Sequence, residues 1–411
     1  MIRAVTRRRW MLLLTLLIVF TAARVATTYR VFSQTIDEPF HLAAGYDFLL
    51  TGRQISDPQH PPLARVFFAL PFLRTPPPAA TDGLARGNAL LLREDRSTQN
   101  LGRARIGNLL FLAIGIAAVA LWARHLISPA AGLIAALLFA STPAVLAHAG
   151  LATTDMAVAA MVPAALYALT RFLDRPSPPR TIVLGIAIAL GMLSKYSFLV
   201  YFPIAAAVLF IVRRRFPLLK LIAACGIAAI LVWSTFRFTF TTLQAADSRA
   251  VDMCAEVFHA PRLATAFRLP APDYLNGFIE VARHDRHGHR ASLFGEMKDG
   301  RGWWYYFPVA LFYKTPIPLL LLALAGMAIL IARRRYEVPL IALGLLGVAM
   351  TSHINIGIRH LLPIYAPLAV AAAYAVVELR RFRTVSIALI AWLLIGIGIA
   401  HPDYLPWFNA F

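Results

Sequence analysis

The sequence predicts an all-α polytopic membrane protein. Of its 411 residues, 59% are hydrophobic and 15% are charged, whereas soluble domains carry about 25% charged residues. Apolar runs, most near the length of a membrane-spanning helix, recur along the chain. Clusters of arginine lie between every second pair of runs, which is the charge pattern of short loops on the inner side of a membrane.

Eleven apolar runs define the expected transmembrane helices. We place them at residues 10–29, 106–123, 129–148, 154–172, 181–194, 198–212, 219–238, 306–331, 338–353, 361–377 and 384–400. The N-terminus is then inside and the C-terminus outside. The fifth and sixth runs are short, are joined by "SKYS" at 194–197, and are expected to be tilted or partly re-entrant. The first run also resembles a signal peptide because "TAARVA" follows it, but we interpret it as an uncleaved anchor.

The net charge of +20 reflects topology rather than a nucleic-acid partner. Its basic residues cluster in the loops expected inside, at Arg7–Arg9, Arg171, Arg175, Arg180, Arg213–Arg215, Arg333–Arg335, Arg380, Arg381 and Arg383. Only Asp174, Glu337 and Glu378 of the 20 acidic residues fall on that side. The charge pattern therefore predicts a multi-pass protein of the cell inner (plasma) membrane, with membrane lipids as partners.

Two long polar segments remain, and both are expected outside. Outer loop 1 spans residues 30–105 and the large outer loop spans residues 239–305. The aromatic group Trp303–Tyr306 ends the second loop and is typical of a membrane interface. Long loops between short connections are usually functional, so the active site is expected to face the periplasm or exterior. We treat residues 1–411 as a single integral membrane domain.

Three carboxylates are candidates for chemistry at the outer ends of the helices. Asp37 and Glu38 stand together in "TIDEPFH", with His41 behind them, and Asp155 opens the fourth run in "LATTDMAVAAM". Asp37 suits a general base with Glu38 beside it; the alternative is a solvated helix start, where acids are favoured. Asp155 is either part of the same site or a capping acid only.

Basic residues near these acids suit an anionic substrate. "DPQHPPLAR" supplies His60, which either binds phosphate or an acceptor or is a structural turn residue. Lys195 is the only charge between Arg180 and Arg213, so it faces a cavity or an anion unless it snorkels to the interface. Lys314 in "LFYKTPIP" raises the same question.

The segment "SHINIGIRHLLPIY" adds a group of hydrogen-bond donors in one outer loop: His353, Asn355, Arg359 and His360. Such a group suits a phosphate, and the alternative is a loop that contacts lipid headgroups. Metal binding is left open. Asp, Glu and His residues are available outside, so a divalent cation can be accommodated, but no HExxH-type spacing marks a site.

The motifs resemble those of the bacterial protein O-mannosyltransferase-like group, glycosyltransferase family 39, within the C-type membrane glycosyltransferases. The resemblance covers nearly the full length. It rests on "TIDEPFHLAAGYDFLLTG", "DPQHPPLAR", "LATTDMAVAAM", "LSKYS", "GWWYYFPVALFYKTP" and "NIGIRHLLPIY" in this order. It implies a bundle of about 11 transmembrane helices, with surface helices in two long outer loops, and a polyprenyl-phosphate sugar as donor.

The resemblance also implies roles for individual residues. Asp37 matches the position that accepts the proton of the acceptor hydroxyl, with Glu38 its neighbour, and Asp155 matches a second acidic motif that positions the acceptor or a cation. Basic residues would hold the donor phosphate, here Lys195, Arg359, His360 and Lys314. Candidates for contact with the sugar or the acceptor are His41, His60, His353 and Asn355.

One departure from the family pattern concerns the acceptor. Protein mannosyltransferases carry a folded soluble domain in a later outer loop, and the 239–305 segment is too short for it. A lipid, a glycan or a protein therefore remains open as the acceptor. The predicted function is transfer of a hexosyl or pentosyl group from a polyprenyl-phosphate donor, with inversion. The competing class is a transporter or flippase. Against this class, the ionisable residues crowd at the outer ends of the helices, whereas a transporter usually places them near the membrane midplane.

Overall fold

The computed structural model describes residues 6–76, 78, 80 and 82–409, and these residues are mainly helical. The helices are α1 Arg7–Thr27, α2 Asp37–Thr51, α3 Pro62–Ala69, α4 Gly83–Leu91, α5 Ser97–Leu126, α6 Pro129–Ala140, α7 Pro143–Ala149, α8 Asp155–Asp174, α9 Pro178–Ser194, α10 Phe198–Arg213, α11 Leu218–Thr235, α12 Leu243–Ala246, α13 Ala250–Phe258, α14 Leu263–Ala266, α15 Pro272–His287, α16 Tyr306–Lys314, α17 Ile317–Ala332, α18 Glu337–Ala349, α19 Tyr365–Glu378 and α20 Arg383–Ala400. A 3-10 segment, Ile358–Ile364, leads into α19.

Each of the eleven predicted apolar runs is helical, but not every run is one straight spanning helix. Among the described residues, six helices are long and apolar enough to cross a membrane, namely α1, α5, α8, α11, the unit of the 3-10 segment with α19, and α20 with the short turn before it. Two bent pairs raise the number to eight: α6 with α7 at 67° and α16 with α17 at 116°. Helices α9, α10 and α18 are apolar but shorter.

Residues 306–331 were expected to form one span; α16 and α17 are together long and apolar enough for this, but the bend of 116° between them shows that they are not one straight helix. Pro316 lies at the break and Pro318 in the first turn of α17. Proline has no N–H to continue the helical hydrogen bonding, so a helix ends before it. The 129–148 run bends for the same reason, because α7 begins at Pro143.

The core of the bundle is formed by α5, α8 and α19. Within their apolar windows, 83% of the residues of α8 and of the α19 unit are buried, compared with 17% for α11 and for α20. Helices α8 and α19 are rich in alanine, and small residues let helices approach closely inside a membrane. The peripheral helices α11 and α20 instead expose large side chains such as Leu219 and Ile399, which suits contact with lipid.

Outer loop 1 folds into surface helices, as predicted. Helix α2 packs against both α3 and α4. Gly45 of α2 lies against the backbone of Arg65, where an added Cβ would come within 2.0 Å of the carbonyl oxygen, and Gly87 of α4 lies as close to the carbonyl of Pro39. Only glycine allows these close approaches, which fix the start of α2 over the bundle.

The large outer loop contains α12 to α15 and two short antiparallel strand pairs, β1 Phe240–Thr241 with β2 Leu269–Pro270, and β3 Ala291–Leu293 with β4 Glu296–Lys298. Its helices enclose a small apolar cluster that includes Met253, Cys254 and Ile279. The loop is therefore a compact helical unit.

The other end of the bundle collects the three acids predicted to lie inside. Asp174 and Glu337 both bind Arg213, and Glu378 binds Arg333 at 2.7 Å. The alternation of charge along the sequence thus corresponds to two separate ends of the helix bundle.

Candidate active site

Asp37 is the first residue of α2 and lies at the mouth of the site. Its carboxylate forms an ion pair with Arg359, and the two side chains are 33% and 26% exposed. The free N–H groups of the first helical turn favour a negative charge at this position. Among the described residues, Asp37 thus has a single ion-pair partner, and it remains within reach of solvent.

Glu38 follows Asp37 but points into the protein, where 1% of it is exposed. Its oxygens accept hydrogen bonds from the Arg105 guanidinium at 2.8 and 2.9 Å. They also accept from the backbone N–H groups of Ala152 at 2.9 Å and Thr35 at 2.8 Å. Glu38 therefore joins α2 to α5 and to the loop before α8, and both of its oxygens are occupied.

Asp155 and Lys195 form a buried pair beneath the mouth. Asp155 is the first residue of α8, and Lys195 lies in the break between α9 and α10. The Lys195 Nζ is 2.5 Å from the Asp155 Oδ1, and their side chains are 8% and 3% exposed. Because charged groups are costly to bury even in pairs, this pair is more than a helix cap.

The loop that delivers Asp155 is fixed by α5. The buried Asn108 side chain donates to the carbonyls of Thr153 at 3.0 Å, His148 at 3.3 Å and Leu151. These bonds hold the turn between α7 and α8 against the bundle, so the position of Asp155 is set by the packing of α5.

His148, at the end of α7, faces Asp155. Its Nδ1 lies 4.0 Å from the Asp155 Oδ2, beyond hydrogen-bonding distance. This nitrogen is buried and has no hydrogen-bond partner among the described residues.

His41 and His60 pack edge to face, with ring centroids 4.9 Å apart. The Arg65 Nε donates to the His41 Nδ1 at 3.1 Å. Burial, together with the Arg65 guanidinium, lowers the pKa of His41 to about 3. Burial, His41 and Arg65 hold the pKa of His60 well below its ordinary value. Both imidazoles are therefore neutral at pH 7.

Arg65 is held by the "DPQHPPLAR" turn itself. It forms an ion pair with Asp57 and donates to the His60 carbonyl at 2.9 Å. Burial pushes the pKa of Asp57 upward, but the Arg65 charge, His41 and the hydrogen bonds from Gln59 and Arg65 together outweigh burial, and the pKa lies below its ordinary value. The His60 Nδ1 is 3.3 Å from the Thr154 hydroxyl, which connects this turn to the start of α8.

The loop that carries Arg359 and His360 is anchored at several points. The Asn355 Oδ1 accepts from the Trp303 N–H at 2.8 Å, and the Tyr306 hydroxyl accepts from the Gly357 N–H at 2.8 Å. The His353 side chain and backbone both contact Asp285. His353 and Asn355 thus connect this loop to the large outer loop.

Lys314 lies at the end of α16 and is occupied by the C-terminal segment. Its Nζ donates to the carbonyls of Leu405 at 3.1 Å and Trp407 at 2.8 Å, and lies 3.5 Å from the centre of the Phe408 ring. Lys314, one of the four basic residues expected to bind the donor phosphate, therefore already has partners in the C-terminal segment.

Asp37, Asp155, Lys195, Arg359 and His360 converge on one region. Asp155 interacts electrostatically with Lys195, Arg359, His148 and His360, and Arg359 interacts with both Asp155 and Asp37. Asp37 and Arg359 form the accessible layer, and Asp155 and Lys195 form the buried layer below it. Within the described residues, no group of three His, Cys, Asp or Glu side chains is placed to hold a metal ion.

Sequence reasoning missed Arg105, Asn108 and His148. All three are polar residues inside or beside apolar runs, in "ARIGN" and "LAHAG". Polar residues within membrane segments usually have a partner or a function, and this signal was available for each of them.

Comparison with known proteins agrees with this architecture. Residues 97–236 match the family described as dolichyl-phosphate-mannose-protein mannosyltransferase. No protein of curated function matches the sequence. Among solved structures, ArnT from Cupriavidus metallidurans bound to undecaprenyl phosphate has a TM-score of 0.63 at 13% identity, over 97% of this chain and 73% of that chain. The apo state of the same protein has a TM-score of 0.59 at 14% identity, over 94% and 64%.

A more distant similarity is to the oligosaccharyltransferase AglB from Archaeoglobus fulgidus, in complex with an inhibitory peptide and a dolichol-phosphate. It has a TM-score of 0.55 at 15% identity, over 95% of this chain and 54% of that chain. The chain thus spans between about half and three quarters of the length of these proteins. The family match and the shared fold confirm the resemblance drawn from the motifs: this polytopic membrane protein has the fold of the C-type glycosyltransferases, and its residues 97–236 are similar to the mannosyltransferase family.

Proposed function

We propose that this protein transfers a sugar from a polyprenyl-phosphate donor to an acceptor hydroxyl at the outer face of the membrane. The observation that carries the proposal is the pairing of an accessible carboxylate, Asp37, with a phosphate-binding type of residue, Arg359, which also interacts with Asp155 of the buried Asp155–Lys195 pair. The family match over residues 97–236 and the fold support the same activity.

In this reaction Asp37 acts as the general base. It takes the proton of the acceptor hydroxyl while the acceptor oxygen bonds to the anomeric carbon and the bond from that carbon to the phosphate oxygen breaks. A direct displacement of this kind inverts the anomeric configuration. For Asp37 to act, Arg359 must exchange the carboxylate for another anion, and the donor phosphate is the anion that the substrate brings.

The departing phosphate carries the negative charge that develops in the transition state. Lys195 and Arg359 are placed to stabilise it, with His360 beside them, and charge stabilisation of this kind lowers the barrier. Lys314 acts indirectly, since its ammonium group already binds the C-terminal segment.

The neutral histidines suit hydrogen bonding to sugar hydroxyls. His60 and His41 lie between the Asp57–Arg65 pair and the start of α8, and a neutral imidazole both donates and accepts. His353 and Asn355 influence the acceptor by positioning the large outer loop. We place the acceptor, whether a lipid, a glycan or a protein, on the Asp37 side of the site.

Orientation in the inner membrane is testable with single cysteines. Glu296→Cys lies on the exposed β3–β4 hairpin of the large outer loop, and Arg334→Cys lies in the basic loop at the other end of the bundle. In intact spheroplasts of a variant lacking Cys225 and Cys254, a membrane-impermeant maleimide should label Glu296→Cys and spare Arg334→Cys. The reverse pattern would place the site in the cytoplasm.

The activity itself is tested with purified protein in lipid nanodiscs. Radiolabelled polyprenyl-phosphate sugars are added one at a time, together with an extract of cell-envelope lipids, glycans and proteins. Movement of label from the carrier to a new product is the expected result. Movement of intact donor across a liposome membrane without sugar transfer would instead support a flippase and overturn the proposal.

A further inference from the structure

Two buried hydrogen-bonding atoms beside Asp155 have no partner among the described residues: the Nδ1 of His148 and the Nε of Arg359. His148 is 7% exposed, so water does not readily satisfy its ring. Native proteins rarely leave buried polar atoms unpaired, and those that remain often mark a place where a ligand binds.

The surroundings of His148 favour a proton on the unpaired nitrogen. The Asp155 Oδ2 lies 4.0 Å from the Nδ1, and this nearby negative charge stabilises the tautomer that presents an N–H toward it. The histidine is also held in place, because Asn108 binds the His148 carbonyl and the loop that follows. His148 is therefore a fixed donor that lacks an acceptor.

Lys195 and Arg359 bring two positive charges to the same place. Lys195 pairs with Asp155 and Arg359 pairs with Asp37, so a ligand anion that takes the place of Asp37 at Arg359 meets both cations. The N–H groups of His148, Arg359 and Lys195 favour a ligand with several acceptor oxygens and a negative charge. A phosphate group has both properties.

We propose that the His148 Nδ1–H donates a hydrogen bond to a non-bridging oxygen of the donor phosphate, and that the Arg359 Nε–H and Lys195 bind the same group. This inference rests on the proposed function and adds to it a binding residue that no sequence motif indicated. Arg359 binds Asp37 through its Nη1, and its Nε is left for the phosphate. The phosphate then contacts this Nε–H first, and the guanidinium passes from Asp37 to the phosphate, which releases Asp37 to act as the base.

The test measures the affinity of protein in nanodiscs for undecaprenyl phosphate, for undecaprenol and for inorganic phosphate. His148→Leu removes both ring nitrogens, and His148→Asn keeps an N–H near the position of the Nδ1. Loss of a hydrogen bond to a charged group should weaken the binding of undecaprenyl phosphate by His148→Leu roughly ten- to a hundred-fold. His148→Asn should recover most of this loss, and undecaprenol binding should not change in either variant.

His125→Asn is the matched control, because His125 pairs with Asp174 at the other end of the bundle. It should bind undecaprenyl phosphate as the wild type does. Inorganic phosphate competes with the lipid only weakly if the polyprenyl chain supplies most of the affinity. Full competition by millimolar phosphate would mean that the site takes free phosphate rather than a lipid headgroup, and this would overturn the inference.

Three further outcomes also decide the question. Wild-type affinity in His148→Leu overturns the inference and leaves the proposed function intact. Equal losses for undecaprenyl phosphate and undecaprenol would assign His148 to packing, and this too overturns it. A wild-type protein that binds no lipid phosphate would overturn the inference and the proposed function together.

A second measurement uses the wild-type protein, in case His148→Leu does not fold. In protein labelled with ¹⁵N-histidine, one Nδ1 resonance, absent from the spectrum of His148→Asn, should shift with undecaprenyl phosphate and not with undecaprenol. An unchanged resonance at saturating lipid contradicts the inference.

Discussion

Asp37 and Glu38 are adjacent carboxylates that each bind an arginine, but in different surroundings. The Glu38–Arg105 pair is 1% exposed on both sides, and further backbone N–H groups occupy the Glu38 oxygens. The Asp37–Arg359 pair is 33% and 26% exposed. Asp37 has no second cation at salt-bridge distance among the described residues.

This difference separates a structural carboxylate from one that is available for reaction. Breaking a buried ion pair leaves an uncompensated charge in a medium that solvates it poorly. A carboxylate in a partly exposed ion pair exchanges its partner at a small cost in free energy, since water solvates the freed groups. We therefore assign the reaction to Asp37 and the anchoring of α2 to Glu38.

The largest expected effect is on catalysis by Asp37→Asn. The amide cannot accept the proton of the acceptor hydroxyl, and loss of a general base slows transfer by about 10²- to 10⁴-fold. The measurement is the initial rate of sugar transfer in nanodiscs at saturating donor. Asp37→Glu, which keeps the carboxylate, should retain more activity than Asp37→Asn; equal rates in both variants would remove Asp37 from proton transfer.

Glu38→Gln should lower stability instead of acting on the chemical step. It leaves Arg105 buried without its counter-charge, a change that costs about 3–5 kcal/mol in other buried pairs. Thermal unfolding in detergent should show a clear decrease in the midpoint for Glu38→Gln and little change for Asp37→Asn. Similar midpoints for the two variants would remove the distinction between these neighbours.

Arg359→Ala should weaken donor binding, because in the proposed mechanism Arg359 is the cation that passes from Asp37 to the phosphate. Losing a charge-assisted hydrogen bond corresponds to about a ten-fold or larger rise in the dissociation constant for undecaprenyl phosphate. Binding is measured by titration of the lipid into nanodiscs. Arg333→Ala, at the other end of the bundle, serves as the control, and equal affinity in both variants would exclude Arg359 from the phosphate site.

The smallest effect on stability and sugar transfer is expected from a substitution at the end of the bundle opposite the candidate site. Glu378 pairs with Arg333, and these side chains are 27% and 54% exposed. Pairs with this exposure contribute about 0–1 kcal/mol, so Glu378→Gln should leave both the unfolding midpoint and sugar transfer close to wild type. A loss of stability as large as that of Glu38→Gln would show that exposure does not distinguish the two ends.

The sequence was sufficient to predict the membrane bundle and the surface helices of outer loop 1. Apolar runs and basic loops directly reflect the lipid environment, so these features can be read one segment at a time. The exceptions were the runs at 129–148 and 306–331, where the prolines at 143, 316 and 318 outweighed continuous hydrophobicity.

The partners within the site could not be predicted in the same way. That Asp37 binds Arg359, 322 residues away, and that Glu38 binds Arg105 depends on packing between segments distant in sequence. Two adjacent acids look alike in "TIDEPFH", and only the fold separates them. The same applies to Lys314, whose partners are backbone carbonyls of the C-terminal segment, which no motif specifies.

The most direct test of the central claim follows a single turnover of a polyprenyl-phosphate sugar by wild type and Asp37→Asn. Donor binding and release of free polyprenyl phosphate are recorded separately, with the acceptor present. The account predicts that Asp37→Asn binds the donor at least as tightly as the wild type, because Arg359 no longer pairs with a carboxylate, and that only the wild type releases the carrier rapidly. Release by Asp37→Asn at the wild-type rate would contradict the assignment of Asp37 as the base.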